Sequence, residues 1–187
     1  SVNIRNGDGI FSQSGKTVTR AVFGEGTRDE KQLGKGVYRQ FGKGQSGFNV
    51  SSIQFAMHYM FQSEETLNGF LRNLSECTKE GGFFIGTTYD GKQIFDMLKG
   101  PDDTVSIYDN AYKVWGITKQ YERKTFPANA SCVGYAIDVY QESINKTFRE
   151  YLVNFEYLTK ILENYGFVPA SRDEVKRMGL GSAIGSF

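Results

Sequence analysis

The sequence has few of the residues that most often build metal centres, disulfide frameworks or nucleophilic sites. It contains one histidine and two cysteines in 187 residues. Cys77 and Cys132 show no metal-ligand spacing and no disulfide pattern, which is typical of reduced thiols in a cytoplasmic protein. With His58 as the single histidine, no serine or cysteine triad can be recognised. The sequence therefore predicts neither a metal site nor covalent nucleophilic catalysis.

The sequence also lacks an excess of one charge and a long apolar run. Its 22 basic and 21 acidic side chains give a net charge of +1, which excludes a bulk positive field for nucleic acid. An RNA partner must then be held by a local patch or a specific pocket. No apolar run approaches the ~20 residues of a membrane span. Residues 28–47 are basic and glycine-rich but lack the phosphate-binding motif G-x-x-x-x-G-K-[ST]. Two interpretations of this segment therefore stay open, a flexible surface loop and a contact to phosphate or RNA.

The sequence is rich in aromatic residues, which make up 14% of the chain. Its apolar residues recur at the spacings of helices and strands. We expect most aromatics in a core and a few in a pocket for a flat ligand. The predicted strands are residues 17–23, 48–60, 82–88, 104–118, 131–140 and 167–168. The predicted helices are a short one within 28–47, then 63–81 (closed by Gly81 and Gly82), 91–99, 147–165 and 171–178.

The order of these elements predicts the second half of an open α/β sheet, followed by antiparallel strands. The strand that begins at residue 48 is rich in apolar and small side chains, which favours a central position covered on both faces. In open α/β sheets, ligands bind outside the carboxyl ends of the strands. Gln54, His58 and Tyr59 lie at or just beyond that end, so we expect the functional crevice there.

Several motifs resemble those of one enzyme family. Residues 52–59 (SIQFAMHY) resemble the S-C-Q-F-x-x-H-Y strand of mRNA cap guanine-N7 methyltransferases, and 71–76 (LRNLSE) and 81–88 (GGFFIGTT) continue the match. Residues 150–153 (EYLV) resemble the family's E-[FY]-L-V at the start of a late helix, with a strand at 133–140 before it. The pattern is more similar to capping enzymes of large DNA viruses than to cellular ones.

The resemblance implies a Rossmann-like class I S-adenosylmethionine-dependent methyltransferase with an α/β fold. This chain would hold the C-terminal part of the sheet, with an antiparallel insertion. Residues 1–187 would be a single partial methyltransferase domain, truncated at both ends. The glycine-rich loop that cradles the cofactor would lie upstream of Ser1.

The resemblance also implies roles for individual residues. The S-adenosylmethionine-binding residues would be Gln54, Tyr59 and Glu25, and the cap guanine-binding residues would be His58, Glu150 and Phe55. A carboxylate at Glu150 can accept hydrogen bonds from two adjacent N–H groups of guanine, which rejects adenine. From spacing alone, Glu150 could equally be a first-turn helix glutamate that favours the helix dipole. Glu25 stands in Gly-Glu-Gly where the family usually has Asp.

The implied function is transfer of a methyl group from S-adenosylmethionine to N7 of the 5′ cap guanine of mRNA. Placement and electrostatics would suffice, with no catalytic acid or base and no metal. The implied partners are the capped RNA 5′ end and triphosphatase and guanylyltransferase domains in the same full-length chain, with no membrane. The implied location is cytoplasmic, at a viral replication site or in a virion, or nuclear for a cellular enzyme. Another class I methyltransferase and a non-catalytic methyltransferase-like subunit of a capping complex stay open as alternatives.

Overall fold

The computed structural model describes residues 3–186, which form six α-helices and six strands. The helices are α1 (Gln13–Val22), α2 (Glu30–Tyr38), α3 (Glu64–Cys77), α4 (Gly91–Met97), α5 (Phe155–Glu163) and α6 (Arg172–Arg177). The strands are β1 (Phe48–Gln54), β2 (Thr78–Thr87), β3 (Thr104–Asp109), β4 (Tyr112–Lys119), β5 (Ala136–Gln141) and β6 (Lys146–Tyr151). Short 3-10 helices lie at Ile4–Asn6, Met57–Gln62 and Ala130–Cys132. The expected mixed α/β class is confirmed.

Each of these α-helices begins at a side chain that caps it. The residue before the first turn accepts a hydrogen bond from a backbone N–H that no carbonyl of the helix can reach. The capping residues are Ser12, Asp29, Ser63, Asp90, Asn154 and Ser171. Within residues 3–186, none of the helices has the length and apolar character needed to cross a membrane.

Strands β1 and β2 form a parallel pair connected by α3. The register runs from Val50 opposite Phe83 to Gln54 opposite Thr87. Helix α3 turns its buried leucines into a core that it shares with the 3-10 helix Met57–Gln62 and with α5. The buried members of this core are Met57, Phe61, Leu67, Leu71, Cys132, Val133, Val153 and Leu158.

The expected doubly covered position of β1 is wrong for the described residues. Val50 in β1 and Ile85 in β2 are each 50% exposed. The reason is that β1 pairs only with β2 in the described part of the chain, so no strand lies along its other edge.

Strands β3 to β6 form an antiparallel sheet in sequential order. Helix α4 covers one face of it and buries apolar side chains from β4 and β5. The buried members of this second core are Ile94, Phe95, Leu98, Ile117, Tyr135, Ile137, Val139 and Leu152. At the start of α4, the N–H of Gly91 donates to the carbonyl of Val153 at 3.1 Å. This bond ties α4 to the segment that leads from β6 to α5.

In the segment 17–23, predicted as a strand, residues 17–22 belong to helix α1 and Phe23 is its C-cap. Ser12 caps this helix, Ala21 is its buried residue, and the chain leaves it through Gly24 at a φ of 80°. In the described residues no strand pairs with this segment, and a helix satisfies the backbone hydrogen bonds internally.

The predicted helix 147–165 is divided into a strand and a shorter helix. Residues 142–145 make a turn in which Asn145 has a φ of 50°, and this turn returns the chain onto β5. In β6, Phe148 then lies opposite Val139 and Glu150 lies opposite Ile137. Ladder hydrogen bonds to β5 prevail over the helical spacing of the apolar residues. Glu150 is therefore a strand residue, and its interpretation as a first-turn helix glutamate is wrong.

Smaller differences concern the ends of elements. Helix α3 ends at Cys77, and Gly81 and Gly82 lie inside β2 at a register shift. A Cβ atom on Gly82 would lie 2.8 Å from the carbonyl oxygen of Lys79, so this irregular segment requires glycine. Residues 104–118 form the β3–β4 hairpin, and residues 167–168 join no sheet. The helices predicted within 28–47, from 63, at 91–99 and at 171–178 are confirmed as α2, α3, α4 and α6.

Candidate functional site

The chain turns sharply where β1 ends. Phe55 has a φ of 48°, a left-handed conformation that is uncommon for a bulky residue and that concentrates at functional sites. Its N–H donates to the carbonyl of Thr87 at 2.9 Å, which holds the turn against the end of β2. The 3-10 helix Met57–Gln62 follows at once and directs Met57, His58 and Phe61 inward. Tyr59 stays 41% exposed.

This turn brings His58 to Glu150 of β6. The His58 Nε2 and Glu150 Oε1 atoms are 3.7 Å apart, and the two residues are 4% and 7% exposed. Neither ring nitrogen of His58 nor the Oε2 atom of Glu150 has a hydrogen-bond partner within the described chain. Buried polar atoms without partners are costly, which is the pattern expected of atoms that bind a ligand.

Burial shifts both groups toward their neutral forms. It raises the pKa of Glu150 to about 7 and lowers the pKa of His58 below its ordinary value. A separation of 3.7 Å is also too long for a hydrogen bond. Although the two groups lie within ion-pair distance, we therefore infer that His58 is a neutral imidazole at neutral pH and that Glu150 lies near its titration midpoint.

Tyr59 belongs to the same group of side chains. Its ring centroid lies 4.2 Å from that of His58, at an interplanar angle of 61°. Burial and then the charge of Glu150 raise the pKa of its phenol. Tyr59, His58 and Glu150 therefore surround one place, with a buried carboxylate, a buried imidazole and a partly exposed phenol.

Gln54, the last residue of β1, has its amide held in one orientation. Its Nε2 donates to Ser52 Oγ at 2.9 Å, and its Oε1 accepts from Thr87 Oγ1 at 2.7 Å. An amide offers two N–H groups and two carbonyl lone pairs, so half of this capacity remains for a ligand. The side chain is exposed and oriented before any ligand arrives.

The ring of Phe55, the next residue in the chain, is partly open to solvent. The residue is 52% exposed, and its ring lies 6.4 Å from that of Tyr89 in an edge-to-face arrangement. Sequence reasoning missed both Thr87, which holds Gln54, and Tyr89, which flanks Phe55. Their position directly at the end of β2 was the available signal, because adjacent parallel strands end at the same edge of a sheet.

Glu25 does not join the other predicted residues. It lies in an exposed loop after α1, where its neighbour Gly24 faces Gly42 and Gln45. The ring of Phe23 lies 5.7 Å from that of Phe48, at the amino end of β1. Gln54 lies at the opposite end of this seven-residue strand, about 20 Å away at ~3.3 Å per residue. The geometry therefore gives no support to a shared ligand for Glu25 and Gln54.

The backbone after Glu150 is fixed on two sides. The N–H of Leu152 donates to the carbonyl of Tyr135 at 2.9 Å, and the carbonyl of Val153 accepts from Gly91 at 3.1 Å. The buried Asn154 caps α5 and donates from Nδ2 to the carbonyl of Pro127 at 3.1 Å. The chain that follows Glu150 is thus held by Gly91 of α4, by Tyr135 just before β5 and by Pro127.

A separate apolar groove of about 490 Å³ lies between β2, α5 and α6. Phe84, Leu158, Phe167 and Val175 are among the side chains that line it. Gln54, Phe55, His58, Tyr59 and Glu150 are absent from its lining. This groove and the polar group around His58 are therefore different places.

The sequence is similar to those of known proteins. A family model described as the mRNA (guanine-N(7))-methyltransferase domain matches residues 17–177. An mRNA cap guanine-N(7) methyltransferase of Drosophila melanogaster is 32% identical over 118 residues, which are 63% of this chain and 26% of the relative. The corresponding protein of Schizosaccharomyces pombe is 31% identical over 126 residues, or 65% of this chain and 32% of the relative.

A viral protein is also similar. The protein of Acanthamoeba polyphaga mimivirus named "Probable mRNA-capping enzyme" is 29% identical over 119 residues, which are 62% of this chain and 10% of that protein. The chain thus spans a third or less of the length of these three relatives.

Proposed function

The chain belongs to the mRNA (guanine-N(7))-methyltransferase family, and from that premise we propose that it transfers a methyl group from S-adenosylmethionine to N7 of the mRNA cap guanine. The relatives named as cap guanine-N(7) methyltransferases support this activity. In this proposal the β1–α3–β2 unit is part of a Rossmann-like sheet, and the described residues are part of one methyltransferase domain. The capped 5′ end of RNA is the substrate. Other capping domains on the same polypeptide are suggested by the name of the mimivirus relative.

The observation that carries the proposal is the buried carboxylate of Glu150, with one oxygen unbonded, beside His58 and Tyr59. Guanine presents two adjacent N–H donors on its Watson–Crick edge, and a carboxylate can accept from both. Adenine offers no such pair of donors, so it would leave the buried oxygens unpaired at a cost of about 1–3 kcal/mol or more. Binding by this edge leaves N7, on the other side of the purine, free to react.

Glu150 and His58 then determine the charge around the purine. Two guanine donors favour the anionic form of Glu150, whose pKa burial has raised to about 7. The purine gains a positive charge when N7 is methylated, and an anionic Glu150 stabilises that charge in a site shielded from water. Neutral His58 lies beside the purine without adding a competing positive charge.

No side chain needs to remove a proton in this reaction, because N7 carries a free lone pair. S-adenosylmethionine, when bound, supplies the methyl group from a positively charged sulfur. The task of the chain is to place N7 ~3 Å from that methyl group and in line with the sulfur. Glu150 and His58 position the purine edge, Phe55 encloses it, and the Gln54 amide and the Tyr59 side chain hold the donor.

The residues at the end of β1 fit such a donor. Gln54 keeps one N–H and one lone pair after its bonds to Ser52 and Thr87. It is exposed and lies at the carboxyl end of a parallel strand, where α/β sheets bind nucleotides. Glu25 contributes nothing to this fit, because it lies near the other end of β1.

The test is methyl transfer by the intact protein to RNA that carries a GpppG or an ApppG 5′ end. Methylation at N7 of the terminal guanine of GpppG-RNA, with little transfer to the terminal adenine of ApppG-RNA, is the expected result. Transfer to an unrelated acceptor instead would point to another class I methyltransferase. Donor binding without transfer to any acceptor would point to a non-catalytic subunit, and either result would contradict the proposal.

A further inference from the structure

Strand β6 carries three chemically different side chains in a row on one face. Lys146, Phe148 and Glu150 alternate with Thr147 and Arg149. The pairing places them opposite Gln141, Val139 and Ile137 of β5, respectively. Ile137 and Val139 point into the core under α4, so Phe148 and Glu150 share that face. At ~3.3 Å per residue, neighbours in the row are about 7 Å apart.

The row leads outward from the candidate guanine site. Glu150 is buried under the 3-10 helix Met57–Gln62, whereas Phe148 is 36% exposed and Lys146 is exposed. Among the ring contacts and ion pairs found in residues 3–186, none includes Phe148 or Lys146. An aromatic face and a cation thus stand next to the site and are open to a ligand.

The other face of the strand differs in this respect. The Arg149 guanidinium donates to the carboxylate of Asp138, its cross-strand neighbour on β5. The positive charge of Arg149 is therefore already neutralised. Thr147, the other residue on this face, has a small polar side chain. The combination of an aromatic ring and an unpaired cation is therefore specific to the face that carries Glu150.

We propose that this face of β6 binds the first transcribed nucleotide of capped RNA, with Phe148 stacked on its base and Lys146 beside a phosphate. The inference rests on the proposed function, because it takes Glu150 as the guanine end of the row. Base stacking on an aromatic side chain tolerates any base, which suits a nucleotide whose identity varies between transcripts. With a net charge of +1 and no bulk positive field, a single local cation is also the kind of phosphate contact that this chain offers.

The inference predicts that substitutions on β6 distinguish capped RNA from a bare guanine nucleotide. In the intact protein, kcat/KM and Kd are measured for a GpppG-capped five-nucleotide RNA and for GTP, which has no following nucleotide. Phe148→Ala should weaken capped-RNA binding by ~5- to 150-fold, the range for one lost base stack. Binding of GTP should change less than about twofold. Phe148→Tyr should restore most of the capped-RNA affinity.

Lys146→Gln provides a second, independent readout. Loss of one phosphate contact should reduce the slope of log Kd against log salt by about 0.7 for capped RNA. Thr147→Ala, on the same strand but the opposite face, is the matched control and should leave the slope and both affinities unchanged.

The outcomes separate the two proposals. Equal losses for GTP and capped RNA, or no loss for either, would overturn the inference about β6. Thermal unfolding of each variant shows whether an equal loss reflects misfolding, and Phe148→Tyr then decides, since it keeps the ring. If the unsubstituted protein bound neither ligand, the proposed function itself would fail. If it bound GTP but gained nothing from the RNA, only the inference about β6 would fail.

Discussion

The two sheets contribute to the candidate site in opposite ways. The parallel β1–β2 pair presents Gln54, Phe55 and Tyr59 at its edge, where they are largely exposed. The antiparallel sheet presents Glu150, which is 7% exposed and has an unbonded oxygen. On the first side, the polar atoms of Gln54 and Tyr59 are bonded to neighbours or open to water. On the second, a carboxylate is kept away from both.

This difference indicates where discrimination between ligands arises. An exposed amide such as that of Gln54 exchanges water for ligand at little net gain, about 0.5–1.5 kcal/mol per hydrogen bond. A buried carboxylate has already lost its water, so a ligand without matching donors leaves it unpaired. The antiparallel side should therefore determine which base is accepted, and the parallel side should mainly hold and orient.

The largest predicted effect tests this division directly. Glu150→Ala should weaken cap binding by about 3–6 kcal/mol, the range for two hydrogen bonds to a charged acceptor at about 1.5–3 kcal/mol each. Gln54→Ala should weaken donor binding by about 0.5–1.5 kcal/mol. Titration calorimetry with GpppG and with S-adenosylmethionine measures both values. Equal losses for the two variants would contradict the proposed difference between the sides.

A matched control for Glu150 is available on α5. Glu156 is exposed, and its carboxylate accepts from Lys160 one turn later. Glu156→Ala removes the same charge from the chain without touching the site, and exposed pairs of this kind contribute about 0.3–0.5 kcal/mol. Cap binding should therefore be unchanged in this variant. A large loss would mean that net charge, and not the buried carboxylate, governs binding.

The next effect concerns the contact that holds the antiparallel side in place. A Cβ atom on Gly91 would collide with the backbone of Val153, at 2.6 Å from its nitrogen. Gly91→Ala should therefore lower the free energy of unfolding by about 1–3 kcal/mol, as overpacking does. It should also weaken cap binding more than donor binding, because Val153 lies three residues after Glu150.

Gly69 in α3 is the matched control for Gly91. Nothing in the described structure lies within 4 Å of a Cβ atom placed there. Gly69→Ala should raise the free energy of unfolding by about 0.5–1 kcal/mol, since alanine is the better helix former. Urea denaturation measures both variants, and the prediction is a difference in sign. The same sign for both would show that Gly91 has room for a side chain.

The pH dependence of stability should show the cost of the buried carboxylate. The folded pKa of Glu150, about 7, exceeds the unfolded value of about 4.3. The folded state therefore binds more protons between these values, and this contribution to stability is present below about pH 4 and lost as pH rises through 7. At pH 8, Glu150→Gln should be more stable than the unsubstituted protein, by about 1–2 kcal/mol.

Cap affinity should follow the opposite course. Glu150 accepts from two donors only when ionised, so cap binding should weaken as pH falls below about 7. Glu150→Gln should remove this pH dependence as well as most of the affinity. Because His58 is present in both proteins, the difference between their pH profiles isolates Glu150. A Glu150→Gln profile parallel to that of the unsubstituted protein would refute the assignment.

Local signals in the sequence were enough for the parallel side. The apolar residues of β1, the start of α3 at Ser63 and the apolar residues of β2 are all contained within one β–α–β segment. The crevice at the end of β1 follows from a general property of parallel strands. The resemblance to a known family then suggested Gln54, His58 and Tyr59, and the structure places His58 and Tyr59 in ring contact.

The antiparallel side could not be predicted in the same way. Apolar residues at Phe148, Tyr151, Leu152 and Phe155 continue the spacing of α5 backwards, which concealed β6. The signal that was missed is Asn154, which caps α5 and so marks the true start of the helix. Burial of Glu150 arises from pairing with β5 and from packing of the distant 3-10 helix, and no local pattern encodes either contact.

The smallest predicted effect concerns Phe55, the strained residue on the exposed side. A left-handed φ of 48° disfavours a bulky side chain, whereas asparagine adopts this conformation readily. Phe55→Asn should therefore change the free energy of unfolding by less than about 0.5 kcal/mol, because the relief of strain offsets the loss of a half-exposed ring. Cap binding should still weaken by about 0.5–1.5 kcal/mol, the value of one aromatic contact. Thermal denaturation and GpppG titration measure the two quantities. A loss of stability above about 1 kcal/mol would mean that the Phe55 ring supports the fold, and its left-handed turn would then need no ligand to explain it.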